Sequence, residues 1–405
     1  MVNQDSPRET PLKGLKILEM GQLLAGPFAS VLLAWFGAEV LKIELPGVGD
    51  PLRTWRKLYE GTSLWWYILG RNKKCITLNL RRPEGQEIVR RLVQKMDVVI
   101  ENFKPGTLEK WGLGYEQLKE INPRIIMVRV SGWGQSGPNS PKPGYASVAE
   151  GVGGLRYLTG YADRPPVRCN LSLGDTLAGL HAALGLLMAV YHRDVKRTGQ
   201  GQVVDVAIYE AVFNMMESLV PEYDMYGLVR ERQGSKLSGI VPTGTYPCKD
   251  GKYIIIGGNG DSVFKRLMHA VGRPDMAEDP RLAHNNDRVE HEQEIDETIT
   301  AWTRQLMYEE ALAALDEAGV PAGPIYNIAD IMRDPHYIAR EMFETVSLPD
   351  GTPVKLPTFG PKLSHTPGRT DWIGPVIGAH NEEVYSGMLG MDEEELSRLH
   401  EEGII

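Results

Sequence analysis

Three features of this chain point to an α/β protein built on a mostly parallel sheet. Short apolar runs recur through the first two hundred or so residues, glycine or proline breaks each run, and amphipathic or apolar helical stretches fall between them. Strands that alternate with helices bury both sheet faces, and so read as continuous apolar segments rather than as alternating ones. The 405 residues, 42% hydrophobic and 24% charged, supply ample core for two folding units.

Leu15 to Met20 is an apolar run suited to a buried strand. Gly21 to Gly26 breaks it, and Pro27 opens a helix reaching about Phe36, since proline's missing N–H would be unpaired in a first turn anyway. Ala38 to Ile43 is the second strand and completes a β-loop-α-β unit. Cys75 to Leu80, Asp97 to Ile100 and Ile125 to Val130 continue the series, with an amphipathic helix from Pro83 to Lys95. A long apolar helix starts near Asp175. Gly199 to Gln202 then turns the chain, Val203 to Val206 is a strand and Ala207 to Leu219 a helix.

Pro221 to Pro242 is loop-rich and leads out of the first domain. Thr243 to Ala318 reads as a smaller α/β unit, with strands near Thr245 and over Tyr253 to Ile256. Helices are expected near Ser262–Val271, Glu290–Trp302 and Tyr308–Ala318. Gly319 to Pro324 marks its exit, and the rest, with a helix over Asp392 to Glu402, returns to the first domain. The expected division is a large domain over 1–220, a linker and small domain over 221–325, and a return segment over 326–405.

Composition excludes several classes. A net charge of -9 argues against nucleic acid, which needs a basic footprint, though a local basic site still admits a polyanionic small molecule. Three cysteines without a C-x-x-C pair suit a reducing compartment. The stretch Met1 to Thr10 is polar, and no segment is expected to reach the ~18 uninterrupted apolar residues of a membrane span, so a cytoplasmic protein without membrane contact is expected. There is no G-x-S-x-G elbow, no H-E-x-x-H, and the nine histidines are scattered, so neither a serine hydrolase nor a metal site is expected.

Four features bear on chemistry, each with two readings. The loop Gly21 to Gly26, after a strand and before a helix, is a plain turn or a cradle for phosphate. Arg71, Lys73, Lys74, Arg81, Lys104 and Lys110 recur near strand ends. Singly they are solvated surface charges; together, beside Glu101 to Gly106, they suit a nucleotide carrying several phosphates. Gly257, Gly258 and Gly260 follow a strand, as a simple turn or as a mobile loop that closes over a reactive intermediate. Asp175 stands before an apolar helix with Gly174 at its side. It is a helix cap, or a carboxylate nucleophile placed where a thioester can approach.

Taken together, several segments resemble the family III CoA-transferases, the group that includes the formyl-CoA:oxalate, carnitine and succinyl-CoA:malate transferases and the α-methylacyl-CoA racemases. They are Lys13 to Glu19, Leu24-Ala25-Gly26-Pro27-Phe28-Ala29, Gly37 to Glu44, Arg71 to Lys74 and Glu101-Asn102-Phe103-Lys104-Pro105-Gly106. The likeness continues through Ser131 to Pro138, Gly174-Asp175, Thr198 to Gln202, Gly319 to Pro324 and Ile377 to Val384, so it spans essentially the whole chain.

The resemblance implies an interlocked dimer of ring-like chains, each with a Rossmann-like large domain and a small α/β domain. It implies acyl-CoA and carboxylic acid substrates, with no cofactor beyond the CoA thioester that is itself a substrate. The partner is a second copy or a paralogous subunit. Asp175 matches the catalytic aspartate, and Gly257, Gly258 and Gly260 match a glycine-rich flap. Leu24, Ala25, Arg81, Asn102, Phe103, Lys110 and Tyr145 match positions that contact CoA or frame the site, and Trp55 an aromatic near the acyl pocket. Leu45 and Pro143 replace an arginine and a lysine of formyl-CoA transferase, so part of that enzyme's CoA clamp is missing.

Racemisation next to a thioester needs two proton-transfer groups. Where the racemases carry a histidine this chain has Tyr145, so the transferase branch is the expected one. Gly49 to Arg56 with Ser63 to Tyr67 looks similar to members that handle small dicarboxylic acids, and Arg53 or Arg56 would pair with a distal carboxylate, unless both merely flank a surface loop. Succinyl-CoA as donor and a malate- or itaconate-like acid as acceptor follow as the expected substrates.

Overall fold

The computed structural model describes residues 9–405. By its internal packing the chain divides into two units. The larger comprises residues up to Leu155, Cys169–Glu217 and Arg340–Ile405; the smaller comprises Arg156–Arg168 and Ser218–Ala339. This differs from the expected division in two places: the small unit also takes up 156–168, and it runs on to Ala339 rather than ending near 325.

The larger unit is built on six parallel strands: β1 (Lys16–Glu19), β2 (Glu39–Glu44), β3 (Lys73–Thr77), β4 (Val98–Glu101), β5 (Ile126–Ser131) and β6 (Val203–Ala207). Their order is β3-β2-β1-β4-β5-β6. The chain therefore leaves β1 in one direction through β2 and β3, then crosses back to β4 on the other side. The reversal falls between β1 and β4, and ligands of open α/β sheets bind at the carboxyl ends of such a pair. One-residue alternation sorts the strands onto two cores. Leu18, Leu41, Ile43, Val99 and Met127 face Ile88, Val89, Leu92 and Val93 of helix α2 (Pro83–Val93). Ile17, Val40, Val98, Ile100, Ile126 and Val128 face α1 (Ala25–Trp35) and α4 (Leu173–Val190) on the opposite side. Helix α3 (Ala146–Val152) joins this second core.

Helix α1 begins at Ala25, two residues before the proline expected to open it; Pro27 sits in the first turn, where its missing N–H costs no bond. The segment Leu173–Val195 is long and apolar enough to span a membrane by length and composition, which corrects the expectation that no stretch is. Here it lies on α1 and β5 within the fold.

The edge of β3 is covered by the return segment. His380 N–H donates to the Cys75 carbonyl (3.0 Å) and His380 Nδ1 accepts from the Cys75 N–H (3.1 Å). Asn381 Oδ1 accepts from Thr77 N–H at 2.9 Å, and Tyr385 donates its hydroxyl hydrogen bond to the Thr77 carbonyl at 2.5 Å. The Ile377–Val384 motif thus satisfies edge groups that would otherwise be open to another strand.

The smaller unit holds an antiparallel sheet of order β9-β8-β7, made from β7 (Thr243–Pro247), β8 (Tyr253–Gly257) and β9 (Ala322–Pro324). Ile254 and Ile256 point into a core with Phe264, Leu267 and Met268 of α5 (Asp261–Ala270), Ile295 and Ile299 of α6 (Glu292–Thr303), and Ala311 and Leu315 of α7 (Tyr308–Glu317). The Gly319–Pro324 stretch, expected as an exit, supplies the third strand. A helix at Leu219–Tyr226 also forms inside the segment expected to be loop.

Candidate active site

The crevice at the carboxyl ends of β1 and β4 is built by backbone clasps. Asn102, directly after β4, accepts the Gln22 N–H with Oδ1 and donates from Nδ2 to the Gln22 carbonyl, both at 2.8 Å. Gly21 suits this close approach, since a Cβ would sit 3.0 Å from Asn102 Oδ1, tighter than an ordinary contact. Leu23 takes a left-handed φ of 63°, and its N–H donates to the Asp50 carboxylate at 3.1 and 3.2 Å. Leu24 is the N-terminal flanking residue of α1 and Ala25 its first residue; both are buried. Phe103 is fixed by its N–H to the Glu101 carboxylate (2.7 Å) and by an edge-on contact with Trp111 at 5.4 Å.

Asp175 lies in the first turn of α4 and is half-buried. The helix begins two residues earlier, after Ser172, so the capping reading fails: Asp175 is inside the helix and not its cap. This places it at the end where the helix's partial positive charge gathers, the favourable end for negative charge that develops on acyl oxygens. Small residues bring α4 close to α1. A Cβ on Gly179, one turn along, would meet Phe28 Cδ1 at 2.8 Å and the Ala25 carbonyl oxygen at 2.9 Å. On its other side Gly174 packs on Ala146 and Glu150 of α3, and its N–H donates to the buried Glu150 carboxylate at 3.3 Å. Tyr145 flanks the start of that same helix and is 70% exposed. The fold thus gathers Asp175, Tyr145, Leu24, Ala25 and Asn102 around one end of the larger unit.

The basic residues divide. Arg81 and Lys110 are exposed, lie beyond the carboxyl ends of β3 and β4, and have no acidic partner among the described residues, as is also true of Lys104. Arg71 and Lys73 do not belong with them. Both are buried at the other end of β3, Arg71 paired with Glu344 and Lys73 with Glu19, each at 2.7 Å. Lys74 pairs with Glu383.

Arg53 is already paired within the fold. It is 7% exposed, its Nε and Nη2 both bond the Glu44 carboxylate (2.8 and 2.7 Å), and its guanidinium stacks 3.8 Å from the Trp66 ring. With Nε and Nη2 both given to Glu44, the two-pronged face of this guanidinium is already filled, and only the Nη1 donors remain for any other acceptor. Arg56 is exposed, holds a left-handed φ of 60° and lies over Trp65 at 4.9 Å. Trp55 stands between them, 40% exposed.

In the smaller unit the glycine loop is anchored rather than slack. Gly257 N–H donates to the Pro321 carbonyl and Gly258 N–H to the Pro242 carbonyl, both at 2.9 Å. Buried Arg288 donates to the Asn259 carbonyl and to Asp261 Oδ1 (2.8 Å). None of the three glycines uses a positive φ. Gly258 is required by packing, since a Cβ would meet Leu267 Cδ2 at 2.5 Å; Gly257 and Gly260 have room to spare, with their nearest atoms at 3.9 and 3.5 Å. Conformational freedom therefore does not explain these glycines; packing explains Gly258 alone.

Beneath the crevice runs a buried charge network that sequence reasoning passed over. Lys42 Nζ lies 2.7 Å from Glu19 Oε1 and 2.8 Å from Asp50 Oδ2. Burial alone would push the Glu19 carboxyl up, but Lys42 and Lys73 overcome it and hold it down at about 2. Burial likewise works against the Lys42 charge, and Asp50, Glu19 and Glu44 outweigh it, so its pKa is raised. The signal was legible: Lys42 and Glu44 lie beside Val40, Leu41 and Ile43 in the buried part of β2, a position charged residues occupy only when paired.

A parallel sheet with a chain reversal at β1/β4, a clasped loop at that reversal and a carboxylate on the adjoining helix start together define an open α/β fold with a candidate site at the position where such sheets bind ligands. The chain belongs to the CoA-transferase family III, whose profile it matches over residues 12–381, and it is an enzyme that transfers CoA. It is 49% identical over 406 residues to a succinyl-CoA–D-citramalate CoA-transferase of Chloroflexus aurantiacus, covering 100% of both chains. It is 41% identical to the beta subunit of a succinyl-CoA–L-malate CoA-transferase of the same organism, covering 98% of each. Among solved structures it is similar to a CAIB/BAIF family protein from Brucella suis, with a TM-score of 0.81 and 35% identity, over 94% of this chain and 100% of that one.

Proposed function

We propose that this protein moves CoA from succinyl-CoA to a C4–C5 dicarboxylic acid through covalent intermediates on Asp175. The observation that carries the reading is the position of Asp175, a half-buried carboxylate in the first turn of α4, one turn from the contact with Ala25 and Phe28. The Asp175 carboxylate attacks the donor thioester carbonyl and expels CoA thiolate, giving a mixed anhydride. The thiolate then attacks the aspartyl carbonyl of that anhydride, releasing the donor acid and leaving an aspartyl-CoA thioester. The acceptor carboxylate attacks this thioester, expelling thiolate and forming a second anhydride. Attack of the thiolate on the acceptor's carbonyl yields the new acyl-CoA and restores Asp175. Each step conserves an activated acyl group, so one poor bimolecular exchange becomes four easier displacements.

Leu24, Ala25, Asn102 and Phe103 would line the CoA path, with Arg81 and Lys110 meeting its phosphates. Gly257, Gly258 and Gly260 would serve as the glycine-rich flap. Trp55 would border the acyl group, and the distal carboxylate falls to Arg56 now that Arg53 is committed to Glu44. The relatives named for succinyl-CoA with D-citramalate and with L-malate support this substrate class, malate more directly than itaconate. A racemase role gains nothing from Tyr145, an exposed phenol rather than an imidazole. We place the enzyme in the cytoplasm as an interlocked dimer. The relatives named as alpha and beta subunits also allow a paralogous partner.

The test is incubation with a panel of acyl-CoAs and acids, followed by mass spectrometry. Transfer from succinyl-CoA to malate, citramalate or itaconate is expected to dominate. Oxalate or carnitine far outperforming them would overturn the substrate assignment, and Asp175→Ala turning over at a comparable rate would overturn the nucleophile.

A further inference from the structure

The β1–α1 loop is held by side chains at successive polar backbone positions. The Gly21 carbonyl accepts from Lys42 Nζ at 2.8 Å, both polar groups of Gln22 are bound by Asn102, and the Leu23 N–H meets both Asp50 oxygens. Asp50 is 2% exposed. Its second oxygen pairs with Lys42, its own N–H donates to Glu44 Oε1 at 2.8 Å, and Glu44 is tied to Arg53. With Glu19 and Lys73 the network holds three cations and three anions, so its charges balance.

Such a network is a poor way to gain stability, because apolar packing of the same volume serves as well or better. What it supplies here is direction. Leu23 is held left-handed, a conformation that a bulky apolar residue rarely adopts unless its surroundings impose it. Its N–H is fixed by a carboxylate that Lys42 in turn fixes. The next two residues, Leu24 and Ala25, turn the chain into α1 and onto α4.

We propose that Asp50, oriented by Lys42, is a positioning residue for CoA: it keeps Leu23 left-handed and so sets the Leu24–Ala25 backbone against which CoA lies. The inference rests on the reading that Leu24 and Ala25 line the CoA path. Asp50 touches no substrate itself; it acts through the loop.

The test is Asp50→Asn, which keeps the shape but removes the ion pair with Lys42. CoA affinity by calorimetry, and KM for acyl-CoA, should weaken about tenfold, the cost of a sub-ångström misplacement. KM for the acceptor acid and kcat should move less than about threefold. A folded variant that binds CoA within twofold of wild type overturns the inference. So does a uniform loss of kcat and both affinities that merely tracks melting temperature. Should Asp50→Asn not fold, Leu23→Val and Leu23→Asn decide. Both lose the leucine's packing, but valine resists the left-handed region and asparagine accepts it. Asparagine should bind CoA several-fold more tightly than valine, and equal affinities overturn the proposal. A wild-type enzyme that binds no CoA overturns the functional reading and the inference together. Wild type that binds CoA, beside an unaltered Asp50→Asn, overturns the inference alone.

Discussion

Replacing Gly179 by alanine tests how tightly the aspartate helix must lie on α1. The added Cβ would stand 2.9 Å from the Ala25 carbonyl oxygen and 2.8 Å from Phe28 Cδ1, against about 3.4 Å for an ordinary contact. Phe28 can shift its ring, but the backbone oxygen cannot rotate away, so α1 and α4 must part by about 0.5 Å. Alanine gains ~1 kcal/mol of helix propensity over glycine, and overpacking costs ~1–3 kcal/mol, leaving a net destabilisation of ~0–2 kcal/mol. In a unit of this size that lowers Tm by a few degrees at most. Activity should suffer more. A 1 Å misplacement costs ~100-fold, so half that separation between Asp175 and the Leu24–Ala25 loop should reduce kcat/KM about tenfold. Gly151→Ala is the control, since no described atom lies within 4 Å of its added Cβ. Calorimetric melting and steady-state transfer measure both variants. A Gly179→Ala enzyme with raised Tm and kcat/KM within twofold of wild type would refute the idea that close helix packing aligns the two halves of the site.

Three further outcomes follow from the geometry. Gly258→Ala should lose ~1–3 kcal/mol, because its Cβ collides with fully buried Leu267, whereas Gly257→Ala and Gly260→Ala should melt like wild type; equal melting of all three by calorimetry would remove the packing role of Gly258. Arg53→Ala should cost ~3–5 kcal/mol by stranding buried Glu44, while the fraction that folds keeps its acid preference; a stable variant altered only in KM for the acid would restore Arg53 to the substrate site. His380 carries a pKa below the ordinary 6.5, first because burial disfavours its charge. Its stability contribution is therefore present above 6.5 and lost as pH falls below that value, so Tm should drop as the solution is acidified from pH 6.5, and His380→Gln should flatten that slope.

The parallel sheet was legible because strands buried on both faces leave continuous apolar runs, as at Ile17–Leu18 and Ile126–Val128. The third strand of the small sheet was not. Ala322–Pro324 reads as a turn by composition, and only the distant partner Ile254–Ile256 makes it a strand. The helix at Leu219–Tyr226 hid for a local reason: Pro221 looks like a breaker but falls in the first turn, where proline is tolerated. Asp175 could be found from its glycine neighbour and apolar helix, and the resemblance then supplied its role. The pairing of Arg53 with Glu44 was not legible, because a side chain's partner is invisible in sequence. Glu44 stands nine positions away, on a strand, and three-dimensional proximity alone joins them. The charged pair Lys42 and Glu44 inside an apolar strand was the cue that a buried network existed, and the loop it serves is the one that faces CoA in the proposed mechanism.

Intact-mass and peptide analysis after brief exposure to succinyl-CoA, quenched in acid, tests the central claim most directly. The account requires an acyl or CoA adduct on the peptide containing Asp175, formed within one turnover and chased away by the acceptor acid. Active transfer with that peptide consistently unmodified, or with the label on another residue, would contradict it.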